Sequence, residues 1–302
     1  MKLDCVGLGF SCVDFLIRIP YIPSFREQSF TPVLNFEIQG GGPVSTGLVA
    51  MSRLGAKVGY IGKVGDDQWG EVIRREFAKY GVDTTRLAVD KGKRSNCSFV
   101  LIEASTGERV FMVFPSDVSP LELTEKDEDY IKNSRMLFLD GSGGQAAVKA
   151  AKIAKEKGLI VFIDGLAIGE LKGLVDIAIC SEQTAYRAAD TRNPEDALEK
   201  LYQEEYRILG VTLGPGGSIF REGNKIYRQT AFKVKAVDTT GAGDVFHGAF
   251  AYGVLQGWSL EKTAEFASAV SALKCMKIGG RAGIPSINET LIFLKEQGSR
   301  FF

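Results

Sequence analysis

The sequence predicts an α/β protein: a doubly wound, mostly parallel sheet with a small separate β-sheet attached. From Arg135 to Leu213, apolar strands alternate with helical patterns, as they do when crossover helices cover both faces of a parallel sheet. Two earlier segments, 14–39 and 94–115, are rich in β-branched and aromatic residues and read as insertions that form the small sheet. Late in the chain, Val237-Asp238-Thr239-Thr240-Gly241-Ala242-Gly243-Asp244 leads into an apolar run of helical spacing (Val245, Phe246, Ala249, Phe250, Val254), so a loop feeds a helix N-terminus there. The whole of 1–302 is expected to form one domain.

In chain order, Leu3 to Phe10 reads as a first buried strand. Its Gly7-Leu8-Gly9-Phe10-Ser11-Cys12 approaches a dinucleotide fingerprint, but Cys12 replaces the third glycine and the prolines up to Pro23 deny the required helix. Asp14 is read as a polar group at a strand end, where open α/β sheets bind ligands. Gly40-Gly41-Gly42-Pro43 precedes a helix from Val44 to Leu54 stopped by Gly55. Such a glycine run loses much backbone entropy on folding, which favours close approach of a ligand or another backbone over a loose turn. A strand from Lys57 to Val64 follows, then a helix marked by Trp69, Val72, Ile73, Phe77 and Tyr80 and ended by Gly81.

The alternating part comprises strands 136–140, 159–164, 175–180 and 208–213, with helices from Gln145 to Lys157 and from Pro194 to Glu205, the latter capped by Asn193. Ser218 to Arg221 and Lys225 to Gln229 form a hairpin around Gly223-Asn224. Helices are expected from Leu260 to Met276 and after the Ser286–Glu289 capping box.

Composition limits the function. At 302 residues and 45% hydrophobic content, the chain can bury a large core unaided. Lys+Arg and Asp+Glu both number 37, so no net field draws it to nucleic acid or an anionic membrane. Small molecules or copies of itself are the expected partners. Cys5, Cys12, Cys97, Cys180 and Cys275 are scattered, as reduced thiols in a cytoplasmic protein would be, without a zinc or disulfide pattern. No stretch reaches the ~18 apolar residues of a membrane helix, and Asp4 and Asp14 break any leader-like run.

The chemistry concentrates where the glycine loop meets its helix. The first turn of a helix leaves N–H groups without acceptors and carries partial positive charge, a ready place for an anion. Asp244 beside such a place reads either as a helix cap or as a base that takes a proton from an attacking hydroxyl. His247 is the sole histidine and reads as a packed residue, which leaves no Ser/His/Asp chemistry to argue for. The turn Thr212-Leu213-Gly214-Pro215-Gly216-Gly217 lies at a strand's carboxyl end and reads equally as a tight turn or a nucleotide contact.

Two long segments carry a resemblance. Gly41-Gly42-Pro43 through Gly55-Ala56 to Trp69-Gly70 resembles the first signature of the ribokinase-like (PfkB) carbohydrate kinases, and Asp238 through Ala249 resembles the second. The resemblance implies an ATP- and Mg²⁺-dependent kinase acting on a hydroxyl of a small sugar. It makes Asp244 the base and the Gly241-Ala242-Gly243 amides the anion hole, and it places Asp14, Gly41, Gly42 and Thr46 at the sugar. Thr212, Gly214, Gly217 and Ser268 fall at the nucleotide. The small sheet becomes a lid over the sugar and a homodimer contact.

The chain also departs from the ribokinase pattern. Pro43 and Thr46 stand where that pattern has Lys and Asn, and the Gly-Gly-Gly-Pro-x-x-Thr form is more similar to the branch with sulfofructose and ketose kinases. An Asn-x-x-Glu motif linked to Mg²⁺ appears as Ser181-Glu182-Gln183-Thr184, which keeps only the Glu182 carboxylate. The resemblance implies a K⁺ site at Asp238, Thr240 and Gly280, with Gly283 where a ligating Ser is sometimes found. A nucleoside or sugar-phosphate kinase, using Arg18, Lys93, Arg94 or Arg109, and a non-catalytic sugar sensor remain as alternatives.

Overall fold

Beyond its alternating half, the chain contains a second parallel run before the insertions close. The structure, a computed structural model, describes residues 2–23, 30–107, 109–202 and 206–301. Parts of the expected segments at 24–29, Glu108 and 203–205 lie outside the described residues.

The first half contains β1 (Cys5–Leu8), β2 (Cys12–Ile19), β3 (Asn35–Gly41), α1 (Pro43–Arg53), β4 (Val58–Gly65), α2 (Gln68–Lys79), β5 (Asp83–Asp90), β6 (Cys97–Glu103) and β7 (Arg109–Phe114). Then come α3 (Glu125–Lys132), β8 (Met136–Asp140), α4 (Gly144–Glu156), β9 (Ile160–Asp164), β10 (Ile177–Ser181), α5 (Glu182–Ala189) and α6 (Pro194–Leu201). The last part holds β11 (Ile208–Thr212), β12 (Ser218–Glu222), β13 (Lys225–Gln229), α7 (Ala242–Leu255), α8 (Leu260–Cys275) and α9 (Ile287–Glu296).

The large sheet has the order β13-β12-β11-β10-β9-β8-β1-β4-β5. It is parallel from β11 to β5, and β12 and β13 add an antiparallel edge. Its strands read as continuous apolar runs because both faces are covered. One face packs on α1, α2, α7, α8 and α9 through residues such as Leu48, Phe77, Phe250 and Phe266. The other packs on α3, α4, α5 and α6 through Ile131, Ala150, Ala185 and Leu198. Burying each large side chain contributes ~1.5–3 kcal/mol.

From β1 the chain builds outward first through β4 and β5, then in the other direction through β8, β9, β10 and β11. The order therefore reverses between β1 and β8, and the crevice beyond their carboxyl ends is where doubly wound sheets bind ligands. Here the Phe10 amide after β1 donates to Asp140 Oδ2 at the end of β8 at 2.7 Å.

The second sheet has the order β3-β2-β6-β7, with β2 and β6 parallel and the outer pairs antiparallel. Asp14 lies inside β2 of this sheet rather than at the end of the first strand. The sequence reading passed over β5, α3 and α5. β5 is a polar edge strand, and α3 buries only Asp127 and Ile131, so neither shows a strong apolar period. The Thr124/Asp127 capping box was the legible sign of α3.

Candidate active site

The N-cap of α7 is Gly241, whose φ of 70° is left-handed and whose side-chain direction would meet the Gly280 backbone at 3.1 Å. Only glycine holds both conditions without strain. The Ala242 amide turns back to Thr239 O at 3.1 Å. Among the described residues, the next two amides, of Gly243 and Asp244, meet no backbone acceptor. A Cβ on Gly243 would enter open space, with nothing within 4 Å, so the helix end is accessible where its dipole and free N–H groups favour an anion.

Asp244 sits in the first turn of α7 but caps nothing; the N-cap is Gly241, with no side-chain cap bond. The cap reading of Asp244 is thereby set aside. Desolvation, and next the nearby Asp164 carboxylate, push its pKa from 3.8 up to about 7. One turn on, the His247 Nδ1 lies 2.8 Å from Asp164 Oδ2 at the end of β9. The ring nitrogen does not meet hydrogen-bond geometry there, so the contact is a close electrostatic approach more than an aligned bond. Burial pulls the imidazole pKa down, but Asp164 and then Asp244 outweigh it and hold it above its usual value. His247 is buried, as expected for a packed residue, yet two carboxylates, Asp164 and Asp244, act on its ring. The sequence reading missed Asp164; its signal was an acidic residue ending an apolar strand, the same pattern as Asp140.

On the other side of the site, the glycine run is explained by side chains. A Cβ on Gly41 would stand 2.0 Å from Asp14 Oδ2, and one on Gly40 would stand 2.1 Å from an Arg281 guanidinium nitrogen. Gly42 takes a φ of 101° against the Phe10 carbonyl. What approaches closely is therefore Asp14, Arg281 and one backbone turn. Arg281, unnoticed as a site residue from the sequence, is 1% exposed. It donates to Gly41 O (3.1 Å), Ser45 Oγ (2.8 Å) and Thr46 Oγ1 (3.3 Å). Its other terminal nitrogen has no partner. Burial raises the Asp14 pKa, opposed by the Cys12 thiol that donates to it and by Arg281. Thr46 thus lies in a floor pinned by Arg281.

Thr212 ends β11, and Gly214 opens the short turn after it with a φ of 55°. Gly217 has a φ of 90° and its side-chain direction is blocked by Gln229 O at 2.0 Å, so the β12–β13 hairpin alone requires a glycine there. Ser268 of α8 is buried and donates to Thr230 O at 3.4 Å. Ser181 pairs across from Thr212 and caps α5, in whose first turn Glu182 lies. Among the described residues no three His, Cys, Asp or Glu side chains are grouped to hold a metal. Glu182 as a lone carboxylate fits a Mg²⁺ held mainly by phosphate oxygens and water.

Most of the expected K⁺ donors are already engaged, although the Thr240 hydroxyl is buried without a partner among the described residues. Asp238 accepts from the Thr240 and Gly279 amides, each at 2.8 Å. The carbonyls of Asp238 and Thr240 accept from Lys274 Nζ, the former at 2.9 Å. The Gly280 backbone lies beside Gly241. With the Lys274 ammonium already on two of its carbonyls, this donor set fits a metal cation poorly. From β7 of the small sheet, the Arg109 guanidinium reaches Thr239 Oγ1 of the same loop.

A base-like carboxylate beside open amides, at the carboxyl edge of a doubly wound sheet, is what a phosphotransferase acting on a hydroxyl requires. Residues 11–287 match the pfkB family carbohydrate kinases, and the chain belongs to that family. It is a carbohydrate kinase of the ribokinase-like fold. A 5-dehydro-2-deoxygluconokinase of Clostridium perfringens is 27% identical, over 99% of this chain and 95% of that protein. A ribokinase of Haemophilus influenzae is 28% identical, over 98% of this chain and 99% of its own length. An Arabidopsis thaliana ribokinase solved with ribose and ATP shares the fold with a TM-score of 0.85, at 23% identity over 98% of this chain and 99% of that one.

Proposed function

We propose that this chain is an ATP-dependent kinase of a small sugar or sugar derivative, with Asp244 as general base and the Gly241–Gly243 segment as anion hole. The observation that carries the reading is the position of Asp244. Its pKa is displaced to about 7, beside amides of Gly243 and Asp244 that have no backbone acceptor. A carboxylate tuned near neutrality can take a hydroxyl proton as the oxygen attacks the terminal phosphate. The amides and helix dipole then stabilise charge on the transferring group, which is most of what phosphoryl transfer asks of a protein. The imidazole of His247 lies one turn behind the base, against Asp164, and the two carboxylates favour its protonated form.

Asp14, Gly41, Gly42 and Thr46 form the sugar side, supported by the pinning of this floor to Arg281. Thr212, Gly214, Gly217 and Ser268 are assigned to the nucleotide side on the strength of their place after β11 and on α8. Bound Mg²⁺, with Glu182 as its protein carboxylate, would offset phosphate charge. The segments 14–39 and 94–115 act as a lid within one 1–302 domain, and the lid pairs two copies in a homodimer. The cytoplasm is the proposed compartment, in keeping with five buried free thiols.

The relatives include kinases of both 5-dehydro-2-deoxygluconate type and ribose type by name, and the acceptor proposed for this chain is a sugar or sugar acid of that size. ATP consumption measured against sugars, sugar acids, sugar phosphates and nucleosides tests this. Turnover on a sugar or sugar acid that disappears in Asp244→Asn supports it. Turnover confined to nucleosides, or tight sugar binding with no turnover at all, overturns it.

A further inference from the structure

Lys274, in the last turn of α8, has no part in the chemistry described so far. It is 0% exposed, and a wholly buried ammonium is costly unless it is compensated. Its compensation is specific. Nζ donates to the carbonyls of Asp238 and Thr240, the residues that lead directly into Gly241 and the open turn of α7. One turn earlier on α8, Ser271 Oγ donates to Ala242 O at 2.9 Å. A single helix therefore grips the phosphoryl-binding loop at three backbone oxygens.

Of the oxygens around Lys274, the Thr240 hydroxyl is buried without a partner among the described residues, but the charged and carbonyl donors a metal ion would need are taken. Both Asp238 oxygens are bonded to amides. A side chain at Gly283 would collide with Lys274 O at 2.5 Å, so that position cannot supply a hydroxyl without a backbone shift. The two carbonyls that face inward already accept from an internal cation.

We infer that Lys274 is a built-in counter-ion that does the work of a monovalent cation beneath the anion hole, so that this kinase needs no potassium. Lys274 is a positioning residue: it touches no reacting atom, but it fixes carbonyls whose mutual repulsion would otherwise open the loop. The effect on turnover rests on the kinase reading above; the effect on the fold does not.

The test compares the full chain in potassium chloride and in choline chloride of equal ionic strength, following thermal melting and, on any accepted substrate, kcat. Wild type is expected to show the same melting temperature and kcat in both salts. Lys274→Ala is expected to melt lower and to lose at least about tenfold in kcat. Potassium or ammonium, but not choline, should recover part of both by filling the vacated space. Lys274→Met, whose side chain keeps that space filled, should not be rescued. A wild type whose melting temperature or kcat rises specifically with potassium overturns the inference, and so does a Lys274→Ala that matches wild type in choline. If Lys274→Ala does not fold, the wild-type comparison still decides. If no substrate is found, the melting experiments decide without the kinase reading.

Discussion

At the residue scale, Asp244 does two opposing things. As a base it must be ionised, so kcat/KM is expected to fall with unit slope as pH drops below about 7, as a pH–rate profile would reveal. Asp244→Asn should lower kcat by about 10²–10⁴ with little change in nucleotide affinity, checked by steady-state kinetics and titration calorimetry. As a buried charge it destabilises. Its pKa is raised in the folded chain, so the folded state keeps a proton that the unfolded state releases near pH 4. Stability is therefore lost as pH climbs from there through the folded value. Asp244→Asn is expected to melt above wild type at pH 8, with the gap closing toward pH 4; an equal gap at both pH values would refute the linkage. Asp244 and its glycines were legible because backbone chemistry is written locally. Asp164, Arg281 and Lys274 were not, since each acts on residues far away in sequence and leaves no spacing to read.

At the scale of elements, the site depends on how closely α1 and α7 approach. A Cβ on Gly248 of α7 would stand 2.3 Å from Gly47 O of α1, and one on Gly47 would meet the Phe138 ring at 2.4 Å. Contacts with backbone and core rings cannot swing aside. Gly248→Ala is expected to cost about 1–3 kcal/mol in denaturant unfolding. Because α1 carries Thr46 and α7 carries Asp244, the same variant should lose more kcat than an equally destabilising change in α6. Most helices and strands of the sheet could be read from apolar periods and glycine stops, as with Gly55 and Gly158. β5 and α3 could not, because tertiary packing at the sheet's edge and surface supplies what their polar sequences lack.

At the scale of the molecule, the small sheet leaves one face uncovered. The pairing register puts Phe36, Ile38, Phe99, Val110 and Met112 on the same side, and all are exposed. A continuous apolar face of this kind calls for a partner, and a second copy of the sheet is self-complementary by symmetry. Sedimentation is expected to show a wild-type dimer and a Met112→Glu monomer; a monomeric wild type would exclude the lid as the interface. The architecture around the crevice was foreseeable from βαβ order, whereas which strands would flank it depended on a reversal between β1 and β8 that no local pattern records.

The contact from Arg109 to Thr239 joins that small sheet to the loop beneath the anion hole. In the proposed enzyme, closure over an acceptor would therefore bear on the readiness of the phosphoryl cradle. A kinase built this way wastes little nucleotide on water, because an open cover also removes one of the contacts that hold its catalytic loop. Arg109→Ala is expected to loosen that economy: ATP hydrolysis without acceptor should rise relative to sugar phosphorylation, measured as phosphate release against product formed. An unchanged ratio would mean that the strand and the loop touch without consequence.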